Sequence, residues 1–314
     1  MAVSGSFDFK LNRDQLIKEA LIECGVLDEE ESPTDAMNTT ATRRLNMMLK
    51  AWQADGLQLW SHKEVNVFLE KSKVKYSLPA DNYTESFTET AIRVAASSSD
   101  TTMEVDSTTG MTAADFVGVQ VGDGTMHWTT VASVTDSDTF ELTTGLDDDA
   151  AVDNVVYFYT TKAPRPLRMV EGVRRVHNGN DIPLYFDARA DYWYLADKET
   201  AGTVYQVYFD PQLDNSELRV YQPSDNSIDI LKMVAHFPFD DMDTGTDDFS
   251  FPAWWQEAVM YGLAYRLELK YKLLSTRESK QLHDAATSSK KTAMDYDVEP
   301  EPLKMEPDYG GYVN

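Results

Sequence analysis

From about Pro252 to Ala286 the sequence reads as one long helix whose apolar residues refuse to fall on a single stripe. Trp254, Trp255, Ala258, Val259, Tyr261, Gly262, Leu263, Ala264, Tyr265, Leu267 and Leu269 spread over nearly the whole circumference, as in a helix enclosed on several sides. Any fold for this chain must therefore surround that helix. Two helices near the N-terminus would cover one stripe, and a large β domain could cover another. The surplus aromatic surface predicts a subunit interface with Trp254, Trp255, Tyr261 and Tyr265 as its residues.

The two N-terminal helices have legible boundaries. The first opens at Asn12 with Gln15 three residues on, as in a capping box, and buries Leu16, Ile17, Ala20, Leu21 and Cys24 before Gly25 ends it. The second is expected to start at Ser32, with Pro33 at the first helical position and Asp35 three after the cap. Met37, Ala41, Leu45, Met48 and Trp52 then share a stripe, and Gly56 stops the helix.

From Trp60 to about Phe237 the period switches to two. Runs at 64–68 and 73–76 alternate, and the polar Glu70-Lys71-Ser72 between them suggests a hairpin. Between Arg93 and Lys162 there is no Lys or Arg at all, against ten Asp and two Glu, and short β-rich runs at 116–121, 126–134, 140–143 and 155–159 alternate with turn residues. Residues 87–161 therefore read as a small all-β domain inserted into a host. The host sheet resumes with runs at 167–170, 174–177, 182–186, 204–209, 217–221 and 228–237.

After Lys290-Lys291 the pattern changes again. Pro300, Pro302 and Pro307 among many carboxylates oppose helix and sheet, yet Tyr296, Val298, Leu303, Met305 and Tyr309 recur between them. Residues 291–314 are expected to form an extended arm docking those side chains on a partner; a disordered terminus is the alternative. The fold class is α+β: a helical bundle body from the N- and C-terminal segments, a β-rich middle with an inserted all-β domain, and the arm. As domains, 1–86 with 162–290 make the body, 87–161 the insert and 291–314 the arm.

Composition narrows the function. The 28 basic and 53 acidic side chains leave a formal charge of −25, which opposes sequence-independent DNA binding because that binding displaces counterions with Lys and Arg. A wall that DNA slides past is compatible with the same charge. One cysteine, Cys24, excludes an intrachain disulfide and fits a reducing cytoplasm. Residues 1–10 carry no basic segment followed by an apolar run, so no secretion signal is expected, and no stretch is long and apolar enough for a membrane span.

Chemistry-bearing motifs are weak. The acidic loop from Asp240 to Asp248 resembles a calcium ligand cluster, but counted from Asp241 it places Gly245 one position early and Pro252 where the bidentate Glu belongs. It reads as a solvated loop favouring the next helix N-terminus. His62, His127, His177, His236 and His283 show no i,i+4 pair, and Gly118 to Gly124 lacks the Lys and following helix of a phosphate cradle. No metal, cofactor or catalytic residue is expected.

The order of parts resembles the head-to-tail adaptor, or connector, proteins of short-tailed bacteriophages, also called packaged-DNA stabilisation proteins. The likeness is carried by Asp14-Gln15-Leu16-Ile17 with Gly25-Val26-Leu27, and by the run Leu45-Asn46-Met47-Met48-Leu49-Lys50-Ala51-Trp52-Gln53-Ala54-Asp55-Gly56-Leu57. Tyr76-Ser77-Leu78-Pro79, Ile182-Pro183-Leu184 and Phe251-Pro252-Ala253-Trp254-Trp255 extend it over the chain outside the insert. The resemblance implies a structural virion protein, not an enzyme: a ring, usually of twelve subunits, between portal and tail that prolongs the DNA channel and retains packaged DNA. It implies portal protein, tail nozzle or fibre proteins and neighbouring copies as partners. Its expected place is the head-tail junction of a virion assembled in the bacterial cytoplasm. A virion-associated peptidoglycan hydrolase using two unnamed acidic residues, or a tail-tube or fibre-attachment protein, are the alternatives.

Overall fold

A computed structural model describes residues 9–55, 59–177, 179–246 and 251–298, and the fold is α+β. The chain divides into two units, Met1–Ser61 with Phe239–Asn314, and His62–Pro238.

The first unit is built around helices α1 (Arg13–Glu23), α2 (Asp35–Gln53), α4 (Gln256–Tyr271) and α5 (Thr276–Tyr296), with α3 (Arg189–Tyr194) belonging to the other unit. Asn12 and Gln15 form the capping box of α1, and Leu16, Ile17, Ala20, Leu21 and Cys24 are all buried. In α2 the cap is Thr34, whose hydroxyl accepts from the Met37 N–H, so the helix begins two residues later than the Ser32 signal suggested. Both hydroxyl residues offer a cap, and the one adjoining the first helical turn is used. Gly56, the expected stop, lies outside the described residues.

The single long helix expected from Pro252 is two helices. Lys272 adopts a left-handed conformation (φ 53°) with its N–H on the Glu268 carbonyl, and Ser275 with Glu278 makes a fresh capping box for α5. The Ser-x-x-Glu signature at 275–278 was the available signal for this break. α4 is the enclosed helix. Its buried Ala258, Val259, Leu263, Ala264 and Leu267 share one core with residues of α1 and α2 and with Leu282 and Ala293 of α5. Gly262 sits where α2 crosses: a Cβ there would stand 2.9 Å from the Met48 sulfur and from a Trp52 ring carbon.

The second unit holds two sheets and a barrel. Strands β1 (His62–Phe68), β2 (Lys75–Leu78) and β3 (Tyr83–Thr84) precede the barrel strands β4 (Thr88–Val94), β5 (Thr102–Val105), β6 (Phe116–Gln120), β7 (Met126–Val134), β8 (Thr139–Leu142) and β9 (Val155–Tyr159). After them come β10 (Arg168–Arg175), β11 (Asp181–Pro183), β12 (Tyr185–Phe186), β13 (Gln206–Asp210), β14 (Ser216–Tyr221) and β15 (Ile230–His236). One sheet has the order β11-β10-β15-β1-β3, the other β12-β13-β14-β2, and β4-β5-β8-β7-β6-β9 closes into the barrel. The two sheets contribute Val65, Val67, Leu231 and Met233 on one side and Tyr76, Leu78, Val207, Leu218 and Val220 on the other to a shared core.

The expected β1–β2 hairpin does not form, because the two strands lie in different sheets. Alternation specifies that each strand buries one face; it does not name the neighbour. Likewise the single run 182–186 divides at the buried Leu184, with β11 pairing in the first sheet and β12 pairing parallel to β13 in the second.

In the barrel the aspartates of the lysine-free, Asp-rich stretch serve the turns. Asp100, Asp115, Asp123, Asp136 and Asp149 each accept a backbone N–H from a residue of the turns, at 2.7–3.1 Å. Asp100, Asp115, Asp123 and Asp136 close their own turns, and Asp149 ties two loops together. Strand β9 alternates strictly: Val156 and Phe158 face the barrel interior, while Val155, Tyr157 and Tyr159 join Phe68 and Ile230 of the first sheet in a separate aromatic cluster. Tyr157 donates to the Ile228 carbonyl and Tyr159 to Asn82 Oδ1, both at 2.9 Å. The chain entering and leaving the barrel runs side by side, with Thr84 Oγ1 donating to the Thr161 carbonyl at 2.8 Å.

Candidate interaction surface

The helical unit places the predicted interface residues unequally. Trp255 is buried in the chain's own core, 1% exposed and 5.9 Å from the Trp52 ring, so it is removed from the predicted subunit interface. Tyr261 and Tyr265 are partly buried against the same core, and Tyr265 meets the His283 ring of α5 edge-on at 4.9 Å. Sequence reasoning missed that a separate α5 folds back and covers this side of α4. Trp254 alone of the four stays open, 47% exposed.

The predicted arm also starts later than expected. Helix α5 runs to Tyr296, burying Ala293 and packing Met294 on the core, so residues 291–296 are helical; the helix stops before the prolines. Asp297, which caps it, is buried as well. Tyr296 and Val298 are exposed, and the Tyr296 ring sits 5.0 Å from Trp254 in an edge-on contact. Leu303, Met305 and Tyr309 lie outside the described residues. The arrangement is thus a half-open Trp-Tyr pair with an apolar neighbour at the end of α5, an anchor type common at protein interfaces.

A second aromatic surface lies in the β unit, on the face of the four-stranded sheet that carries α3. Tyr192 of α3 stacks on Tyr208 of β13 at 5.5 Å, which fixes the short helix to the sheet. The Arg219 guanidinium of β14 lies 5.3 Å from the Trp193 ring, and the Lys198 ammonium 5.8 Å from it. Trp193, Tyr194 and Tyr185 remain largely exposed, Tyr194 at 87%. Cations against a ring that still presents its other parts to solvent leave a rigid, amphipathic contact surface. The signal in the sequence was the density of aromatics, Tyr185, Tyr192, Trp193 and Tyr194, within ten residues.

Among the described residues, the polar groups of three other features are engaged within the chain. A groove of about 690 Å³ on the five-stranded sheet is lined by Glu64, Arg175, Asp181 and Lys232, but these pair with one another, Arg175 with Asp181 at 2.6 Å and Lys232 with Glu64 at 3.2 Å. His127 has both ring nitrogens engaged, by Asp147 at 2.7 Å and the Thr144 carbonyl at 3.3 Å. The described part of the acidic loop is fastened to the helices: Asp241 pairs with Lys50 at 2.9 Å, Met242 is buried, and the Asp243 carbonyl accepts from Arg13, while Asp247 and Asp248 lie outside the described residues. Among the described residues no group of three or more His, Cys, Asp or Glu side chains is placed to share a metal ion, and no helix is long and apolar enough to cross a membrane.

No family model matches the chain, and no curated protein matches it. Among solved structures it is similar to VP17, a capsid protein of bacteriophage P23-77, at 10% sequence identity over 55% of this chain and 79% of that one. The TM-score is 0.13, and at that level the likeness carries no argument.

Proposed function

We propose that this chain is a structural virion protein that assembles into an adaptor ring between portal and tail, extends the DNA channel and retains the packaged DNA. The observation that carries the reading is the exit of the chain from α5. There the exposed Trp254-Tyr296 pair and Val298 lead directly into the acidic, proline-interrupted residues that follow. A packed helical surface continuing into a segment with apolar side chains at intervals suits an anchor on a larger partner, here the portal ring. The charge of −25 suits a channel wall that the DNA backbone does not adhere to. The aromatic face around Trp193 and Tyr194 is assigned to a later tail or fibre protein, since Trp, Tyr and Arg dominate interface energetics.

The test is to mix the purified chain with the cognate portal and examine the product by electron microscopy, beside a chain ending after Val298 and a Trp254→Ala variant. A ring on the portal with the full chain, weakened at least about tenfold in affinity by either change, is the expected outcome. Equal portal binding by all three moves the contact elsewhere. No portal complex with any of them removes the adaptor assignment, and cell-wall hydrolysis by the same preparation would replace it with the hydrolase.

A further inference from the structure

Helices α2 and α4 run antiparallel, and their contacts step along both in fours. Met48 meets Gly262, Arg44 donates to the Arg266 carbonyl at 2.5 Å, and the Lys270 ammonium reaches Thr40 Oγ1 at 3.3 Å. This register sets Arg44 and Arg266, both half-buried, next to each other, and Lys270 one turn on. No ion pair joins any of the three to a carboxylate among the described residues, in a chain with nearly twice as many acidic as basic side chains. Burial first, and then the Arg44 charge, holds the Arg266 guanidinium below its ordinary range. Lys270 has a local reason for its position, since a cation in the last turn complements the helix dipole. The Arg266 carbonyl holds Arg44, but no carboxylate among the described residues offsets the two like charges in this partly desolvated seam, which costs free energy unless an anion completes it.

The same unit carries the complementary feature. Asp28, Glu29, Glu30 and Glu31, between α1 and α2, are all exposed, and none has an ion-pair partner among the described residues. Within one copy no ion pair joins this run to the seam. We propose that the Arg44-Arg266-Lys270 seam is a carboxylate-binding site occupied by the Asp28-Glu31 run of a second copy of this chain. Because donor and acceptor surfaces are different patches, the contact is head-to-tail, and repetition closes a ring when the rotation allows it. The exposed Met47 beside Arg44 and the exposed Leu269 and Leu273 beside Lys270 give the contact an apolar margin. The closing of a ring rests on the adaptor reading; the pairing of two copies does not.

The experiment is a charge swap read by sedimentation at about 0.1 M salt, where a screening length of about 10 Å suppresses repulsion between whole molecules but not between groups in contact. One variant carries Arg44→Glu and Arg266→Glu, the other Glu29→Lys, Glu30→Lys and Glu31→Lys. Each alone should weaken self-association by more than about tenfold, because like charges then face each other. The two mixed in equal amounts should associate again, within about threefold of the unaltered chain. A milder Arg266→Gln variant, with an unchanged thermal melt, separates loss of contact from loss of fold. The proposal is overturned if the unaltered chain stays monomeric at the highest concentration reached, if the seam variant associates normally, or if mixing restores nothing. Retention of a duplex DNA fragment by the unaltered chain, lost in Arg266→Gln with self-association intact, also overturns it and gives the seam to phosphate. Salt-dependent pairing without any portal complex would keep the seam assignment and remove only the adaptor reading.

Discussion

Replacing Gly262 by alanine sets two opposing effects against each other in one side chain. In a helix interior alanine gains about 1 kcal/mol over glycine through reduced backbone entropy in the unfolded chain. Against this, the new Cβ would stand 2.9 Å from Met48 Sδ and 2.9 and 3.1 Å from two carbons of the Trp52 ring. Carbon contacts are comfortable near 3.5–4.0 Å, so α2 must retreat or both side chains must move. Met48 is fully buried, and the indole of Trp52 is held between Trp255 at 5.9 Å and the Lys290 ammonium at 5.1 Å. Shifting side chains packed in this way is overpacking, which costs about 1–3 kcal/mol. Gly262→Ala should therefore lose about 1 kcal/mol net, and Gly262→Val, with a β-branch and two further methyls, about 3 kcal/mol. Trp52→Phe deletes the two clashing ring carbons; alone it should cost about 2 kcal/mol through the space it leaves. Combined with Gly262→Ala it should cost less than the sum by about 1 kcal/mol. Urea unfolding followed by far-UV circular dichroism, with equal slopes required across the set, gives the four free energies. A Gly262→Ala chain more stable than the original, or strict additivity with Trp52→Phe, would refute the close α2–α4 approach on which the cationic seam depends.

Three further outcomes follow from the geometry. Arg174 and Asp229 form a buried ion pair at 2.6 Å, so Asp229→Ala should cost about 3 kcal/mol or more, while replacing both by apolar residues should cost far less; thermal melts of the two variants decide it. Hydrogen bonds from Thr125 to Asp123 and from the Asp138 N–H to Asp136 hold these carboxyls below the usual carboxylate range, so their stabilisation is complete above about pH 4 and is lost as pH falls through their lowered values; acid titration should show a shallower loss of barrel structure in Asp123→Asn with Asp136→Asn. A chain ending after Lys291 loses the buried Ala293 and Asp297 and the packed Met294, so it should melt several degrees lower than a chain ending after Val298.

Legibility followed the range of the interaction. The α1 capping box and its buried stripe, the β7 and β9 runs and the position of the Asp-rich turns were readable because each is set by residues within a few positions of one another. The break at Lys272 was readable too, through Ser275 and Glu278, but a continuous apolar pattern masked it. Trp255 looked the same as Trp254 in sequence, and only the arrival of α2 beside one of them separates a core residue, 1% exposed, from a surface one, 47% exposed.

By itself the sequence determined the α+β class, the helical ends around a strand-rich middle, the barrel strands β6 to β9 to within a residue, and an acidic surface. Periodicity, capping and turn chemistry are local, and local rules suffice for them. Tertiary structure alone decided that β1 and β2 part into different sheets, that α5 returns to cover α4, that Tyr185, Trp193 and Tyr194 share a face with Arg219, and that Arg44 lies against Arg266. Those outcomes depend on which distant surfaces fit together at close-packed density, and residues more than two hundred positions apart, as Arg44 and Arg266 are, carry no mark in the sequence of the register that joins them.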